Sequence, residues 1–242
     1  MEMIFHQAST RGHAHHGWLE SFHTFSFANY YEPSRLHFGA LRVLNDDKVA
    51  AGRGFGRHPH DNMEIVSIPL AGALAHQDSM GNSTVIRHGE VQIMSAGTGV
   101  YHSEMNHDPQ QEVKFLQIWV FPKERNITPR YDQMEFPESD RMNAFQTVVS
   151  PLGTADGGVK INQDAWFSLA NFTPGQSLTY SWHTPGHGVY LFVLEGNLTV
   201  EKGQKTLSRR DGLGIWDTQK VEIQATSDAQ LLVMEVPLKF SA

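Results

Sequence analysis

The 242-residue chain is divided into short segments that alternate polar and apolar side chains and are separated by glycine and proline. It contains 21 glycines and 11 prolines, and stretches such as "EIVSIPLAGALAHQDSMGNSTVIRHGEVQIM" have the pattern of strand, turn and strand. Long stretches with the 3.6-residue period of a helix are missing. The pattern predicts an all-β protein of many short antiparallel strands, hence a sandwich or a barrel.

Two parts of the sequence resemble each other, which predicts two domains of one kind in tandem. Glu64–Gln77 and Val189–Lys202 both contain an apolar strand, a glycine and a second apolar strand. The polar, turn-rich segment "FPESDRMNAFQ" lies between the two parts and has the composition of a linker. We predict an N-terminal domain at residues 1–135, a linker at 136–144 and a C-terminal domain at 145–242. A chance resemblance of two hairpins is the alternative.

Composition excludes several classes of protein. The formal net charge is -7 and no basic run occurs, so direct nucleic-acid binding through a broad basic face is not expected. Without cysteine, the chain has no disulfides, no catalytic thiolate and no cysteine-based metal site. The start lacks the pattern of a secretory signal, and no apolar run approaches the ~20 residues of a membrane helix. We expect a soluble cytoplasmic protein.

Two histidines one residue apart stand out in "GRGFGRHPHDNMEI". On a strand, His58 and His60 project to the same face, about 6–7 Å apart along the chain, and can share one metal ion. Glu64 is an even number of residues from both histidines, so its side chain lies on the same face if the strand stays regular. Taken alone the pair is a weak signal, because two surface histidines beside Pro59 in a turn give the same pattern.

A second pair lies 42 residues after His60, in "IMSAGTGVYHSEMN". His102 and Glu104 are again two residues apart and follow a glycine-rich turn that allows a sharp bend into the strand. The two pairs together offer three imidazole nitrogens and one carboxylate. This set suits a divalent first-row metal and leaves coordination positions open for substrate or oxygen.

Several longer stretches carry a family resemblance. After the start "RGHAHHGWLESFHTFSFANYYEP" come "RHPHDNMEIVSIPLAG", "HQDSMGN" and "QIMSAGTGVYHSEMN". In this order they resemble the motifs of the bacterial pirins, a family of the cupin superfamily. The resemblance covers nearly all of the first half and, more loosely, the second half. It implies a monomeric bicupin, two antiparallel β-barrel or jelly-roll domains in tandem with one mononuclear metal site, in the N-terminal domain only.

The resemblance also implies a ligand set. The family's ligands fall on His58, His60, His102 and Glu104. In many other cupins the acidic ligand corresponds roughly to Glu64, whereas the pirin pattern uses the glutamate of His-x-Glu. We therefore expect Glu104 to bind the metal and Glu64 to support the site by hydrogen bonding. Ser95 departs from the general pattern too, because many cupins have proline there.

Some pirins are quercetin 2,3-dioxygenases, which open the flavonol ring with O2 and release carbon monoxide. The resemblance therefore implies an oxidoreductase with a flavonol and O2 as substrates. It implies one divalent transition metal, with Fe(II) favoured over Mn, Co, Ni, Cu or Zn, and Glu104 as the catalytic base. The expected pocket residues are Phe27, Met94, Gln117 and Trp119.

Two other functions stay open. Eukaryotic pirins are described as nuclear, metal-dependent transcriptional co-regulators, so the chain is alternatively a non-enzymatic regulator that binds an unknown protein partner in response to metal or redox state. A different cupin reaction on a small polar metabolite is the third hypothesis. An open set of three histidines and a glutamate favours catalysis, because structural zinc sites usually have four ligands that include cysteine.

The remaining histidines have simpler interpretations. His13 and His15 lie in a loop-like segment, where hydrogen bonding to the backbone is commoner than metal binding. We interpret His76 as a satisfied core histidine. For His183 and His187, which flank a Pro-Gly pair, we expect a role in a turn.

Overall fold

The structure, a computed structural model, describes residues 1–240. This part of the chain contains 22 strands and two short 3-10 helices, Ala8–Thr10 and Glu138–Arg141. In chain order the strands are β1 (Glu2–His6), β2 (Gly12–His15), β3 (Leu19–His23), β4 (Leu41–Val49), β5 (Gly54–His60), β6 (Glu64–Ala71), β7 (Ala73–Asp78), β8 (Ser83–Arg87), β9 (Glu90–Ser95), β10 (Val100–Asn106), β11 (Val113–Val120), β12 (Arg130–Glu135), β13 (Gln146–Pro151), β14 (Val159–Ile161), β15 (Trp166–Phe172), β16 (Ser177–Ser181), β17 (His187–Glu195), β18 (Asn197–Val200), β19 (Lys205–Ser208), β20 (Gly212–Trp216), β21 (Lys220–Ala225) and β22 (Ala229–Pro237). Within these residues, no helix is long and apolar enough to cross a membrane.

The chain forms two compact units. The N-terminal unit consists of Gly12–Phe136 and Val159–Gln163, and the C-terminal unit of Met1–Arg11, Pro137–Gly158 and Asp164–Phe240. The first residues belong to the C-terminal unit because β1 pairs antiparallel with β20 along its whole length. The predicted domain boundaries, with a linker at 136–144, stay a prediction.

The two units repeat one topology. In the N-terminal unit the larger sheet has the order β12-β9-β6-β11-β4-β3-β2, and the smaller sheet has the order β5-β10-β7-β8. In the C-terminal unit the run β20-β17-β22-β15 of the larger sheet corresponds to β9-β6-β11-β4, and the smaller sheet, β16-β21-β18-β19, corresponds to β5-β10-β7-β8. The prediction of two similar antiparallel β domains in tandem is confirmed.

Equivalent glycines make the corresponding hairpin turns. Gly72 joins β6 to β7 with a φ of 77°, and Gly196 joins β17 to β18 with a φ of 78°. A Cβ at Gly196 would lie 2.0 Å from the backbone oxygen of Asp228. Only glycine combines a positive φ with so close a backbone approach.

The smaller sheets of the two units differ in the side chains on their inner faces. In the C-terminal unit, β16 and β21 pair Tyr180 with Val221, and both side chains belong to a large buried apolar cluster with Ile223. The equivalent strands of the N-terminal unit carry the predicted ligand pairs, His58 and His60 on β5 and His102 and Glu104 on β10. Among the described residues, both groups of side chains able to hold a metal lie in the N-terminal unit, as predicted.

The C-terminal unit buries one carboxylate, that of Glu235, between two histidines. His183 Nδ1 lies 2.9 Å from one of its oxygens and His187 Nδ1 3.2 Å from the other. The backbone N–H groups of His183 and Thr184 also donate to it, at 2.9–3.0 Å. Burial raises the pKa of Glu235, but these hydrogen bonds outweigh burial and lower the pKa to about 2. His183 and His187 flank the turn at Pro185 and Gly186, as expected, and they also hold a buried negative charge in place.

Replacing Glu235 by glutamine is expected to lower the free energy of unfolding at pH 7 by about 2–4 kcal/mol. The folded-state pKa of Glu235 lies below the ordinary value of 4.5, so its contribution is present above pH 4.5 and declines as the pH falls towards 2. Urea unfolding of the wild type and of Glu235→Gln from pH 7 to pH 3 measures this effect. The difference between their free energies of unfolding should become smaller below pH 4.5.

The exposed carboxylate of Glu195 provides the control. It pairs with Arg209 at 2.7 Å, and both side chains are at least half exposed. Glu195→Gln should therefore change the free energy of unfolding by no more than about 1 kcal/mol. Equal losses in the two variants, or a Glu235→Gln difference that does not depend on pH, would contradict the role given to the buried carboxylate.

Candidate metal centre

The register of two neighbouring strands brings three histidines together. β5 and β10 pair antiparallel with His58 opposite His102 and His60 opposite Val100. The two Nε2 atoms of His58 and His102 are 3.0 Å apart, and the ring centre of His60 lies 4.9 Å from each of the other two. One nitrogen from each ring therefore falls within a sphere that a single ion can occupy.

Hydrogen bonding and burial prepare these imidazoles to bind a metal. His58 Nδ1 donates a hydrogen bond to the backbone oxygen of Gly56 at 2.8 Å, which leaves the lone pair on Nε2. Burial, together with the neighbouring His58, lowers the pKa of His60 to about 4 and that of His102 to about 2. Both rings are neutral at pH 7 and able to act as ligands.

The spacing of the donor atoms fits one ion. Two imidazole nitrogens that bind an ion at right angles, with bonds of about 2.1 Å, lie about 3 Å apart. The 3.0 Å between the Nε2 atoms of His58 and His102 matches this value. The donor set of this structure is thus compatible with a divalent first-row metal.

Glu104 lies two residues after His102 on β10, and its carboxylate is held on both sides. β5 has one extra residue between the partners of His102 and Glu104, a bulge that bends the strand here. Ser67 Oγ donates to Oε1 at 3.0 Å and Gln117 Nε2 donates to Oε2 at 2.6 Å. Burial raises the pKa of Glu104, so this carboxylate is both oriented and unusually basic.

His76 lies beside this carboxylate and is buried. It pairs with Glu104 across β7 and β10, and its Nε2 lies 3.1 Å from the carboxylate of Asp78. His76, His102 and Glu104 form the second group of side chains able to hold a metal. His76 is thus buried as expected and paired at Nε2, but its buried Nδ1 has no hydrogen-bond partner among the described residues, and the ring adjoins two of the four predicted ligands.

Glu64 lies apart from both groups because the strand does not stay regular. β5 ends at His60, and Asn62 has a φ of 45° before β6 begins at Glu64. The buried Oε2 of Glu64 accepts hydrogen bonds from Ser95 Oγ at 2.7 Å and from the backbone N–H of Asn162 at 3.0 Å. Its role in supporting the ligands stays a prediction. Ser95, which replaces the usual proline, supplies a donor that proline lacks.

A cavity of about 720 Å³ in the N-terminal unit adjoins the histidine group. Three of the four predicted pocket residues, Phe27, Gln117 and Trp119, line it. Phe27 and Trp119 meet edge to face at 5.4 Å, and Trp119 also lies 5.0 Å from the ring of His60. The structure does not bring Met94 to the wall, because its side chain is fully buried in an apolar cluster with Ile65 and Val100.

The cavity wall also contains residues that sequence reasoning missed. From the N-terminal segment come His13, His16 and His23, and from β4 come Asn45 and Asp47. His13 stacks on Phe22 at 4.5 Å, and its Nε2 lies 3.3 Å from the carboxylate of Glu20. The sequence of β4 could have indicated part of this wall. Asn45 and Asp47 are polar residues at alternate positions of a buried strand, a pattern that indicates a polar surface facing the interior.

Two double-sheet domains define a two-domain cupin, and among the described residues the groups that could hold a metal lie in the first domain. The family model described as Pirin matches residues 4–120, and the model described as the quercetinase C-terminal cupin domain matches residues 147–236. The chain belongs to the pirin family.

Curated relatives and solved structures match over nearly the whole chain. "Quercetin 2,3-dioxygenase" of Escherichia coli strain K12 is 46% identical over 235 residues, which is 96% of this chain and 97% of the relative. A "Pirin-like protein" of Caulobacter vibrioides is 39% identical and covers 93% and 95% of the two chains. The structure of the Escherichia coli bacterial pirin YhhW in complex with nickel(II) superposes with a TM-score of 0.91 at 43% identity, covering 98% and 99%. The chain is an enzyme, an oxidoreductase similar to quercetin 2,3-dioxygenases.

Proposed function

We propose that this protein is a metal-dependent dioxygenase that opens the ring of quercetin-like flavonols with O2 and releases carbon monoxide. The observation that carries the proposal is the group of three imidazoles of His58, His60 and His102 beside an aromatic-walled cavity. The names of the relatives support the reaction. Fe(II) is the metal we favour, and Mn, Co, Ni, Cu and Zn suit the same donors.

The histidine group would hold the metal, with Glu104 as the fourth ligand. A divalent metal bound there supplies Lewis acidity towards the flavonol 3-hydroxyl and, if redox-active, a site for reaction with O2. The protein contributes position and environment. The edge-to-face rings of Phe27 and Trp119 provide apolar walls that orient a flat aromatic molecule and exclude water from it.

Glu104 would act as the base for the flavonol hydroxyl. Its pKa is raised by burial, so it accepts a proton more readily than an exposed carboxylate does. Ser67 and Gln117 hold one oxygen each, which keeps the carboxylate in one orientation after the proton arrives. The deprotonated, electron-rich substrate is the form that reacts with O2.

Oxygen uptake and carbon monoxide release with quercetin test the proposal. The purified protein is reconstituted separately with Fe(II), Mn(II) and Ni(II), and a His58→Ala/His60→Ala variant prepared in the same way serves as the control. We expect turnover with at least one metal and background rates in the variant, because the variant lacks two of the three nitrogens. If the wild type shows no turnover above that of the variant with any metal, the hypothesis of a non-enzymatic regulator is favoured instead.

A further inference from the structure

The two groups of side chains able to hold a metal meet at His102. With His58 and His60 it forms the outer group, and with His76 and Glu104 it forms the inner group. In each group the ligand atoms, one from each residue, lie within 4.8 Å of one another. The function proposed above places the metal in the outer group, so His76 has no part in it.

The register of β7 and β10 builds the inner group. These strands pair antiparallel with Glu104 opposite His76 and His102 opposite Asp78. Residues opposite each other in an antiparallel pair project to the same face. His76 is fully buried, and His102 and Glu104 are each 2% exposed. The inner group is therefore fixed by two neighbouring strands and lies in the interior of the N-terminal unit.

Asp78 orients the ring of His76. Its carboxylate accepts hydrogen bonds from the backbone N–H groups of Met80 at 2.9 Å and Asn82 at 3.0 Å, and from Asn82 Nδ2 at 2.7 Å. Towards His76 Nε2, which lies 3.1 Å away, this carboxylate is again the acceptor. Nε2 therefore carries the hydrogen and Nδ1 the lone pair. A histidine whose N–H is held by a carboxylate in this way is the usual arrangement of a metal ligand.

The lone pair of His76 has no hydrogen bond to accept. Its Nδ1 is buried and has no partner among the described residues, and the same is true of Nδ1 of His102. A buried polar atom without a partner costs about 1–3 kcal/mol. A cation held by the inner group would bind the lone pair that the hydrogen bond from His76 to Asp78 leaves on Nδ1.

We propose that the inner group is a second binding position for a divalent metal ion, distinct from the outer group. Two imidazoles and one carboxylate are a ligand set that proteins use for zinc. A neutral imidazole has one lone pair, so the shared His102 serves one ion at a time. The two groups are therefore alternative positions for a single ion.

The two positions differ in their relation to the cavity. Of the outer group, His58 and His60 line the cavity wall, whereas of the inner group only Glu104 does. An ion in the inner group is held mainly by residues behind the wall. The inner position thus retains an ion in the protein, and the outer position presents it to a molecule in the cavity.

Metal binding by the His58→Ala/His60→Ala variant tests the inference, because this variant keeps the inner group intact. A chelator removes bound metal, and Zn(II) is then titrated calorimetrically into the variant with and without His76→Gln. We expect the variant to bind one Zn(II) per chain. Adding His76→Gln should lower the affinity at least about tenfold, since loss of a residue that merely supports a ligand already costs about 10- to 100-fold.

His23→Gln in the same variant is the matched control, because His23 is buried and lines the cavity but belongs to neither group. It should leave the affinity for Zn(II) unchanged. No Zn(II) binding by the His58→Ala/His60→Ala variant, equal affinity with and without His76→Gln, or an equal loss from His23→Gln would each overturn the inner position.

Two further points keep the test decisive. If His76→Gln does not fold in this variant, Glu104→Gln takes its place, because it removes another ligand of the inner group and should cause a similar loss. The measurement does not involve turnover. Absence of oxygen uptake with quercetin would therefore count against the dioxygenase alone, and a failure of the inner position would leave the proposed function standing.

Discussion

Glu104→Gln is expected to lower the turnover of quercetin by about 10²- to 10⁴-fold, the usual contribution of general acid–base catalysis. Glutamine keeps the size of the side chain but cannot accept the substrate proton. The three imidazoles remain, so the variant should still bind metal. Steady-state oxygen uptake, with metal content measured on the same samples, separates loss of the base from loss of the metal.

Glu64→Gln provides the comparison, because Glu64 is also a buried carboxyl with a raised pKa, about 7. Its hydrogen bonds go to Ser95 and Asn162, away from the histidine group. We expect a loss of turnover of no more than about tenfold, the lower bound for residues that support metal ligands. If the two substitutions lower turnover equally, Glu104 does not have a special role as the base.

Gly54→Ala is expected to lower the free energy of unfolding by about 2–3 kcal/mol, in the upper range for overpacking, and to weaken metal binding. A Cβ at Gly54 would lie 2.3 Å from the backbone oxygen of Glu104 and 2.5 Å from Cα of Met105. Both atoms are backbone, so β5 and β10 must move apart. These strands carry His58 and His102, whose nitrogens must stay about 3 Å apart to share an ion.

Gly56→Ala, two residues along the same strand, is the matched control. A Cβ there meets nothing within 4 Å, and its φ is not positive. The substitution should be neutral or stabilise the fold by up to about 1 kcal/mol, because alanine has fewer unfolded conformations. Thermal unfolding and metal titration of both variants measure this. Similar behaviour of the two would show that the close approach at Gly54 does not constrain the strands.

The local pattern of the sequence was enough to predict the class of fold and the histidine pairs. Alternation with a period of two and frequent turn residues specify antiparallel strands, because side-chain direction in a strand is a local property. The same rule placed His58 with His60 on one face. The paired glycines Gly72 and Gly196 marked the repeat, since both positions need a positive φ.

Local rules failed where the chain left the strand. Glu64 shares the parity of His58 and His60, but a turn at Asn62 intervenes and directs its carboxylate to Ser95 and Asn162. Met94 was expected in the pocket, yet it packs into an apolar cluster. In both cases the deciding interaction joins residues distant in sequence.

The sequence by itself determined that this chain is a two-domain β protein, and it predicted two same-face pairs of side chains of the kinds that bind metals. Only the tertiary structure decided that His102 lies opposite His58, and that Asn45 and Asp47 line one cavity with His58 and His60. The physical reason is that the period of a strand is set by neighbouring residues. Register between strands, and the surfaces that enclose a cavity, are set instead by hydrogen bonding and burial across the whole domain.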